Sequence, residues 1–252
     1  MYTAFAAVYD RLMQGVDYEG WAAYYAGLLD RCGVRPGASV CECACGTGSL
    51  TAPLQRLGYG MTGVDLSQEM LSVAAQKARD QGLLIPFVRQ DMCALTLHKR
   101  QHAILCTCDG VNYLTTPERV RRFFRAAFAA LRPGGALVFD LSSPYKLENT
   151  LGSQTLGSQE DDVAYIWQNA WHPRTRTVDM RLSIFVRGGD GRYERLEEVQ
   201  RQRAYGREEL TRCLTDAGFA GIRFYGDRTL RAPAAKEARW HVTAMRPKEK
   251  VT

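Results

Sequence analysis

The segment that decides the fold is residues 40–48, which read Val-Cys-Glu-Cys-Ala-Cys-Gly-Thr-Gly. A short apolar run here ends in a Gly-x-Gly turn, a helix-like segment follows, and a second apolar run ends at Asp65, an order that predicts a βαβ unit. Gly46 and Gly48 can adopt a positive φ and have no Cβ to collide with a bound group. An Asp at the tip of the second strand suits a ribose diol, because a carboxylate accepts two hydroxyl hydrogen bonds. The segment therefore predicts an adenosine-containing cofactor.

The residues around the turn narrow the choice of cofactor. The nicotinamide fingerprint needs a third glycine three residues after Gly48, and position 51 is a threonine. The phosphate-loop ending Gly-Lys-Ser/Thr is also absent, and no basic residue near the loop would meet a pyrophosphate. An acid, Glu42, precedes the turn, and an acid repels phosphates but favours a cationic ligand.

With these motifs the chain resembles the class I S-adenosylmethionine-dependent methyltransferases. The resemblance is carried by Glu42-x-x-Cys45-Gly46-Thr47-Gly48, by Asp65 and by Gln90-Asp91-Met92, and the order of segments supports it over residues 36–141. Near the N-terminus, Tyr9-Asp10-Arg11-Leu12-Met13 and Asp17-Tyr18-x-x-Trp21 further resemble a bacterial small-molecule branch of that family.

The resemblance implies roles for particular residues. The glycine loop would pass under the methionine part of S-adenosylmethionine, Asp65 would hold the ribose hydroxyls, and Asp91 with Met92 would frame the adenine. Apart from the resemblance, the aromatic residues of the N-terminal segment either pack against the main domain or form a partial lid, with Tyr9 and Trp21 near the methionine end, since aromatic faces attract a cation such as a sulfonium. The full set of predicted cofactor residues is Tyr9, Trp21, Glu42, Ala44, Gly46, Gly48, Asp65, Leu66, Met70, Asp91, Met92 and Cys108.

Alternating strand-like and helix-like segments predict an α/β fold with a doubly wound, seven-stranded, mostly parallel sheet. We expect an N-terminal helical lid over residues 1–33 and a cofactor-binding α/β domain over 34–141 and 207–246. Between them, residues 142–206 are expected to form a small antiparallel β insertion over the acceptor site. Its first part, 142–162, is rich in Ser, Gly, Thr and Gln and predicts a flexible loop. Three strands are predicted after it, at 163–171, 176–187 and 193–204.

Two residues are candidates for a catalytic role. Tyr113 belongs to the run that follows the fourth strand, where the acceptor would lie, although the same run also fits a plain capped turn. His172 in the insertion would act as a base if the nucleophile arrives protonated, although a lone histidine is more often structural. The run Ser142-Ser143-Pro144-Tyr145 is superficially similar to the Asp/Asn-Pro-Pro-Tyr motif of nucleic-acid methyltransferases. It lacks the first residue of that motif, an amide or acid, and its first proline, and it follows the fifth strand rather than the fourth.

Bulk properties are those of a globular protein. The chain has 252 residues, 46% of them hydrophobic, and a net charge of +6 that is too scattered to indicate a nucleic-acid partner. No apolar run reaches the ~20 residues of a membrane span, and the N-terminus lacks a secretion signal, so a cytoplasmic monomer or homodimer is expected. The eight cysteines favour small buried hydrophobes over a metal or redox site, and no metal is expected.

The leading interpretation is an enzyme that transfers the methyl group of S-adenosylmethionine to a small-molecule acceptor by in-line displacement. Three alternatives stay open: a non-catalytic module that binds S-adenosylmethionine, a methyltransferase acting on a nucleic acid, and another enzyme with an adenosine cofactor. The long insertion argues against a sensor, because a sensor needs no roof over an acceptor.

Overall fold

The computed structural model describes residues 3–160 and 162–249. Residues 1 and 2 of the predicted lid and Asp161 of the predicted insertion lie outside the described residues. The helices are α1 Thr3–Leu12, α2 Tyr18–Arg31, α3 Thr51–Arg56, α4 Gln68–Asp80, α5 Pro117–Ala130 and α6 Arg207–Asp216. The strands are β1 Ser39–Cys43, β2 Gly60–Asp65, β3 Phe87–Arg89, β4 Gln101–Cys106, β5 Leu131–Ser142, β6 Thr155–Glu160, β7 Val163–His172, β8 Thr177–Arg187, β9 Tyr193–Arg203, β10 Ala220–Tyr225 and β11 Arg239–Met245.

Seven strands form the main sheet, in the order β10-β11-β5-β4-β1-β2-β3. β11 runs antiparallel to both of its neighbours, and the other pairs are parallel, which confirms the predicted sheet. β1 lies at the centre of the sheet between β2 and β4, where Val40, Cys41 and Cys43 are completely buried. A central parallel strand is covered on both faces, which explains its near-continuous apolar run.

Local capping fixes where the helices begin. The Asp17 carboxylate accepts the Gly20 N–H at 2.9 Å at the start of α2, and the Ser67 hydroxyl accepts the Met70 N–H at 3.1 Å at the start of α4. Asp and Ser are common at such positions because their side-chain oxygens satisfy N–H groups of the first helical turn. None of the helices within residues 3–160 and 162–249 is long and apolar enough to cross a membrane.

A second sheet contains β6 to β9, paired antiparallel in that order. All four strands lie within the range 142–206 of the predicted insertion. The prediction of a flexible loop over 142–162 is wrong, because this range contains a π-helical turn at Lys146–Leu151 and the strand β6. β6 is an edge strand of mostly polar residues, so the sequence lacks apolar alternation there, and its pairing with the β7 backbone stabilises it.

A buried ionic network fixes the turn that follows β4. The carboxylate of Asp140, in β5, is completely buried and accepts the backbone N–H groups of Cys108 at 2.8 Å and Asp109 at 2.9 Å. It also accepts the Tyr25 hydroxyl and pairs with Arg239, whose guanidinium binds Asp109 as well, at 2.7 Å. Cys108 and Asp109 have φ of 53° and 65°, and this left-handed backbone is costly for residues with a side chain. The network holds the backbone in this conformation.

Replacing Asp140 with Ala removes the acceptor of both N–H groups and one partner of the buried Arg239 guanidinium. We expect the free energy of unfolding in a urea titration to fall by about 3–5 kcal/mol. The control is Asp179→Ala, because Asp179 pairs with Arg201 on the exposed surface of the second sheet and should cost less than about 1 kcal/mol. Equal small losses in the two variants would contradict the role given to the network.

Candidate cofactor site

A cavity of about 350 Å³ opens at the carboxyl edge of the main sheet. Its lining comes from the turns after β1 and β4, the end of β2, the segment after β3, and single residues of α1, α2, α4, α5 and β9. The volume is in the range of small-ligand sites. In an open α/β sheet this edge is where ligands bind, because the connections after the strands leave a crevice there.

The glycine turn and Asp65 form one wall of the cavity. Gly46 has φ of 54°, and a Cβ placed on it would meet nothing within 4 Å, so the backbone is open to the cavity. Its N–H donates to Asp65 Oδ2 at 2.8 Å, and the Ser67 N–H donates to Asp65 Oδ1 at 3.0 Å. The Asp65 carboxylate has about four acceptor sites, so two remain for a ligand after these bonds.

Gly48 has a packing role rather than a place in the lining. Its φ is 71°, and a Cβ there would lie 3.2 Å from both the Ala74 Cβ and the Phe87 ring. The glycine therefore lets the turn pack closely against α4 and β3.

Glu42 lies on the floor of the cavity and is 1% exposed. Its carboxylate accepts the hydroxyls of Thr107, at 2.6 Å, and of Thr51. Burial raises the pKa of Glu42 to about 7, and the two hydroxyl hydrogen bonds offset part of that effect. Near neutral pH the charge of Glu42 therefore responds to whatever occupies the cavity.

Acidic and apolar groups line the far end of the cavity. Asp91 accepts the Cys93 N–H at 2.9 Å and lies 3.4 Å from the Arg119 guanidinium. Met92 and Leu66 lie beside it in the lining, and Leu66 is 54% exposed although it is apolar. An exposed leucine next to Asp65 and Asp91 provides an apolar surface for a flat ligand group.

Helix α1 is joined to the glycine turn by a polar cluster around Asp10. The Asp10 carboxylate accepts the Thr47 hydroxyl at 2.6 Å and the Ser49 hydroxyl at 3.2 Å, and it pairs with Lys77 at 2.6 Å. The cluster brings Tyr9 to the cavity wall, where burial raises its pKa well above the usual value. The Tyr9 phenol therefore stays neutral.

Opposite the Asp65 wall, Tyr113 and Gln200 meet and close one side of the cavity. The Tyr113 hydroxyl donates to Gln200 Oε1 at 2.8 Å, which ties the turn after β4 to strand β9 of the antiparallel sheet. Asn112 strengthens the junction, because its side-chain amide donates to the backbone oxygens of Ser142 and Arg203.

The structure brings most of the predicted site residues together. The cavity lining includes Tyr9, Glu42, Ala44, Gly46, Asp65, Leu66, Met70, Asp91, Met92, Cys108 and Tyr113. Trp21 does not line it and instead packs against Arg239, with the guanidinium 5.0 Å from the ring centre. His172 does not line it either, since it lies on the outer face of β7 and pairs with Asp179 at 3.2 Å. Alternation along the strand turns position 172 away from the inner face.

Sequence reasoning missed several residues of the lining. Tyr18, Thr107, Arg119 and Gln200 all contribute to it. Thr107 directly follows β4, so its position at the carboxyl edge of the sheet could have predicted that it lines the cavity. The sequence contains no comparable signal for Gln200, because its approach to the cavity depends on how the second sheet packs on the first.

The residues present fit S-adenosylmethionine. Glu42, Asp65 and Asp91 are acids of the lining, and Arg119 is a lining base, which suits a ligand with a net positive charge. The open backbone of Gly46 lies next to the Asp65 carboxylate, which keeps two acceptor sites for a ligand. Among the described ranges, no group of three or more His, Cys, Asp or Glu is arranged to hold a metal ion, and all eight cysteines are free.

Comparisons with known proteins agree with this geometry. A family model described as "Methyltransferase domain" matches residues 40–135. The Bacillus subtilis (strain 168) protein named "Putative methyltransferase YqeM" is 34% identical over 249 residues, which cover 98% of this chain and 98% of that protein. A crystal structure of an S-adenosylmethionine-dependent methyltransferase from Clostridium acetobutylicum ATCC 824 is similar with a TM-score of 0.88 and 30% identity, over 98% of this chain and 99% of that one.

The chain belongs to the class I S-adenosylmethionine-dependent methyltransferases. This methyltransferase also shares its fold with more distant proteins. One is the S-adenosylmethionine-bound CalS10, an amino pentose methyltransferase from Micromonospora echinaspora, with a TM-score of 0.75 and 22% identity over 95% of this chain and 96% of that one.

The raised pKa of Glu42 predicts a pH-dependent cost to the stability of the ligand-free methyltransferase. The folded pKa of about 7 lies above the usual value of 4.5, so as pH rises from 4.5 to 7 the unfolded chain loses its proton first. The part of the free energy of unfolding that depends on protonated Glu42 is therefore fully present below pH 4.5 and is lost as pH rises through 7. A Glu42→Gln variant, which mimics the protonated acid, should be more stable than the wild type above pH 7 by roughly 3 kcal/mol and equal to it near pH 4.5.

Urea titrations of the two proteins across that pH range measure the difference. The hydroxyls of Thr51 and Thr107 can each donate or accept, so the amide keeps its hydrogen bonds. A stability gap that does not change with pH would rule out the titration of Glu42 as its cause.

Proposed function

We propose that this methyltransferase binds S-adenosylmethionine in the cavity and transfers its methyl group to a small-molecule acceptor lying beneath the antiparallel sheet. One observation carries the proposal: a single cavity is bounded by the Gly46–Asp65 wall on one side and by the Tyr113–Gln200 pair on the other. A nucleoside held by the first wall has its reactive end facing the second.

The cofactor would be held through both polar and apolar contacts. The two remaining acceptor sites of Asp65 match the two hydroxyls of a ribose. Leu66 and Met92 offer apolar surface to the adenine, whose exocyclic amino group can donate to Asp91. The methionine part would lie along the open backbone of Gly46.

Bound S-adenosylmethionine supplies an electrophilic methyl group on a sulfonium, and its leaving group is a neutral thioether that needs no acid. The chain therefore has to align the acceptor and exclude water. Tyr9 and Tyr18 line the cavity, and aromatic rings near a bound cation stabilise it. Of the two predicted catalytic residues, only Tyr113 lines the cavity, and its hydroxyl, fixed by Gln200, can accept a hydrogen bond from the acceptor and so position it.

A small acceptor is favoured by the enclosure of the site. Helix α1, the turn after β4 and strand β9 all contribute to the lining, and the antiparallel sheet covers that side. The distant relative CalS10 acts on an amino pentose and shares this fold, which supports an acceptor of similar size.

The assignment of Asp65 predicts a loss of cofactor affinity on substitution. Asp65→Ala removes the carboxylate that would accept both ribose hydroxyls, so the Kd for S-adenosylmethionine should rise on the order of 10- to 100-fold. Isothermal titration calorimetry measures the change. Asp30→Ala is the matched control, because Asp30 is an exposed acid paired with Arg35 and does not line the cavity. Unchanged affinity in a folded Asp65→Ala protein would remove Asp65 from the ribose site.

Turnover separates an enzyme from a module that only binds the cofactor. The protein, S-adenosylmethionine and a deproteinised, ultrafiltered bacterial extract should together form S-adenosylhomocysteine, and omission of the extract should stop its formation. Binding without product would favour the sensor. Product that forms only with the nucleic-acid fraction retained by the filter would favour a nucleic-acid substrate.

A further inference from the structure

Glu42 is a buried carboxylate whose hydrogen-bond partners are both neutral. Its two oxygens accept the hydroxyls of Thr51 and Thr107. None of the ion pairs within residues 3–160 and 162–249 includes it. A buried charge is usually paired with an opposite one, because its loss of hydration is costly. Glu42 lacks such a cation and lines the cavity, where a ligand could supply one.

The other titratable groups that face Glu42 supply no positive charge. Burial raises the pKa of Glu42 to about 7, and the like charges of Asp140 in β5 and Asp65 in β2 act in the same direction. The remaining groups around it are thiols and a phenol that stay protonated, because burial raises the pKa of each: Cys45, Cys106, Cys108 and Tyr18. A cation in the cavity would therefore stabilise the ionised form of Glu42.

Glu42 lies between the two walls of the cavity. β1 pairs with β2 on one side and with β4 on the other, so Asp65 ends one neighbouring strand and Thr107 follows the other. A nucleoside whose ribose binds Asp65 carries its sulfonium on the ribose C5′ atom, and its methyl group has to face an acceptor near Tyr113. The sulfonium of such a ligand would lie over β1, beside the Glu42 carboxylate.

We propose that Glu42 distinguishes S-adenosylmethionine from S-adenosylhomocysteine by the charge on sulfur, and that it takes up a proton when the product forms. This inference rests on the function proposed above. The ionised carboxylate pairs with the sulfonium before transfer. Afterwards the sulfur is a neutral thioether, and the positive charge leaves with the methylated acceptor or with the proton that the acceptor releases. The carboxylate has then lost its opposite charge and binds a proton from water, so it no longer favours the ligand that remains.

The partners of Glu42 suit both of its protonation states. A Thr hydroxyl has one O–H donor and two acceptor lone pairs, so Thr51 and Thr107 donate to the carboxylate and can accept from the protonated acid. The side chain therefore exchanges a proton without leaving a buried polar group unpaired. An acid in a salt bridge would instead stay ionised whichever ligand is bound.

Titration calorimetry of the full chain at pH 7, in buffers of different ionisation enthalpy, measures the protons exchanged on binding. Free Glu42 is about half protonated at this pH, so S-adenosylmethionine should displace about half a proton from it and S-adenosylhomocysteine none. In Glu42→Gln, which has no proton to exchange, the difference between the two ligands should shrink by that amount. Any proton exchange by the ligands' own amino groups continues in the variant and is subtracted.

The affinities give a second readout. In the wild type, the ratio of the Kd for S-adenosylhomocysteine to the Kd for S-adenosylmethionine should rise about 10-fold from pH 6 to pH 8, because the ionised carboxylate favours only the sulfonium. Glu42→Gln should show the same ratio throughout that range.

Asp65→Ala is the matched control, because Asp65 is an acid of the same cavity and its predicted ligand, the ribose, is common to both molecules. It should weaken the binding of both ligands by similar factors. The ratio of their Kd values should still rise with pH in this variant, since Glu42 is intact.

The outcomes separate this inference from the function on which it rests. Equal proton release by the two ligands in the wild type, or a pH-dependent ratio that remains in Glu42→Gln, overturns the inference and leaves the proposed methyl transfer intact. Failure of the wild type to bind either ligand overturns both. The wild-type titrations need no substitution, so they decide the matter whatever the stability of the variant.

Discussion

Carboxylates at the strand ends hold the turns that shape this site. Asp65 at the end of β2 accepts the N–H of Gly46 in the turn after β1, and Asp140 in β5 accepts the N–H groups of Cys108 and Asp109 in the turn after β4. In each case the acid comes from the neighbouring strand. Residues with side chains adopt positive φ in both turns, including Ala44 at 54°, which costs about 1–3 kcal/mol each. Charge-assisted hydrogen bonds of similar strength offset that cost.

Glu42 lies between these two turns and joins them, because Thr107 follows β4 and Thr51 begins α3. Its burial is unfavourable for the ligand-free fold, and the same burial makes its charge effective towards a cation. Glu42 therefore stands where an apolar residue would give a more stable fold, a compromise expected where binding requires a buried charge.

The sequence predicted the main sheet because its signals are local. The Gly-x-Gly turn, the caps Asp17 and Ser67, and the alternation of strands and helices each depend on residues close together in the chain. Asp65 was found for the same reason, since it ends the strand that follows the turn. β6 was missed because the six residues Thr155–Glu160 have no apolar period, and only pairing with β7 makes them a strand.

The sequence by itself determined the βαβ order and the family, because a glycine turn and an acid at a fixed spacing are short-range features. Only the tertiary structure decided which distant groups meet at the cavity. Asp10 binds Lys77, 67 positions away, and Tyr113 binds Gln200, 87 positions away. The tertiary structure also decided that His172 and Trp21 do not line the cavity. The packing of one sheet or helix on another sets which face of each element points towards the cavity. Such packing is a sum of many weak contacts between residues far apart in the chain, and no local pattern encodes it.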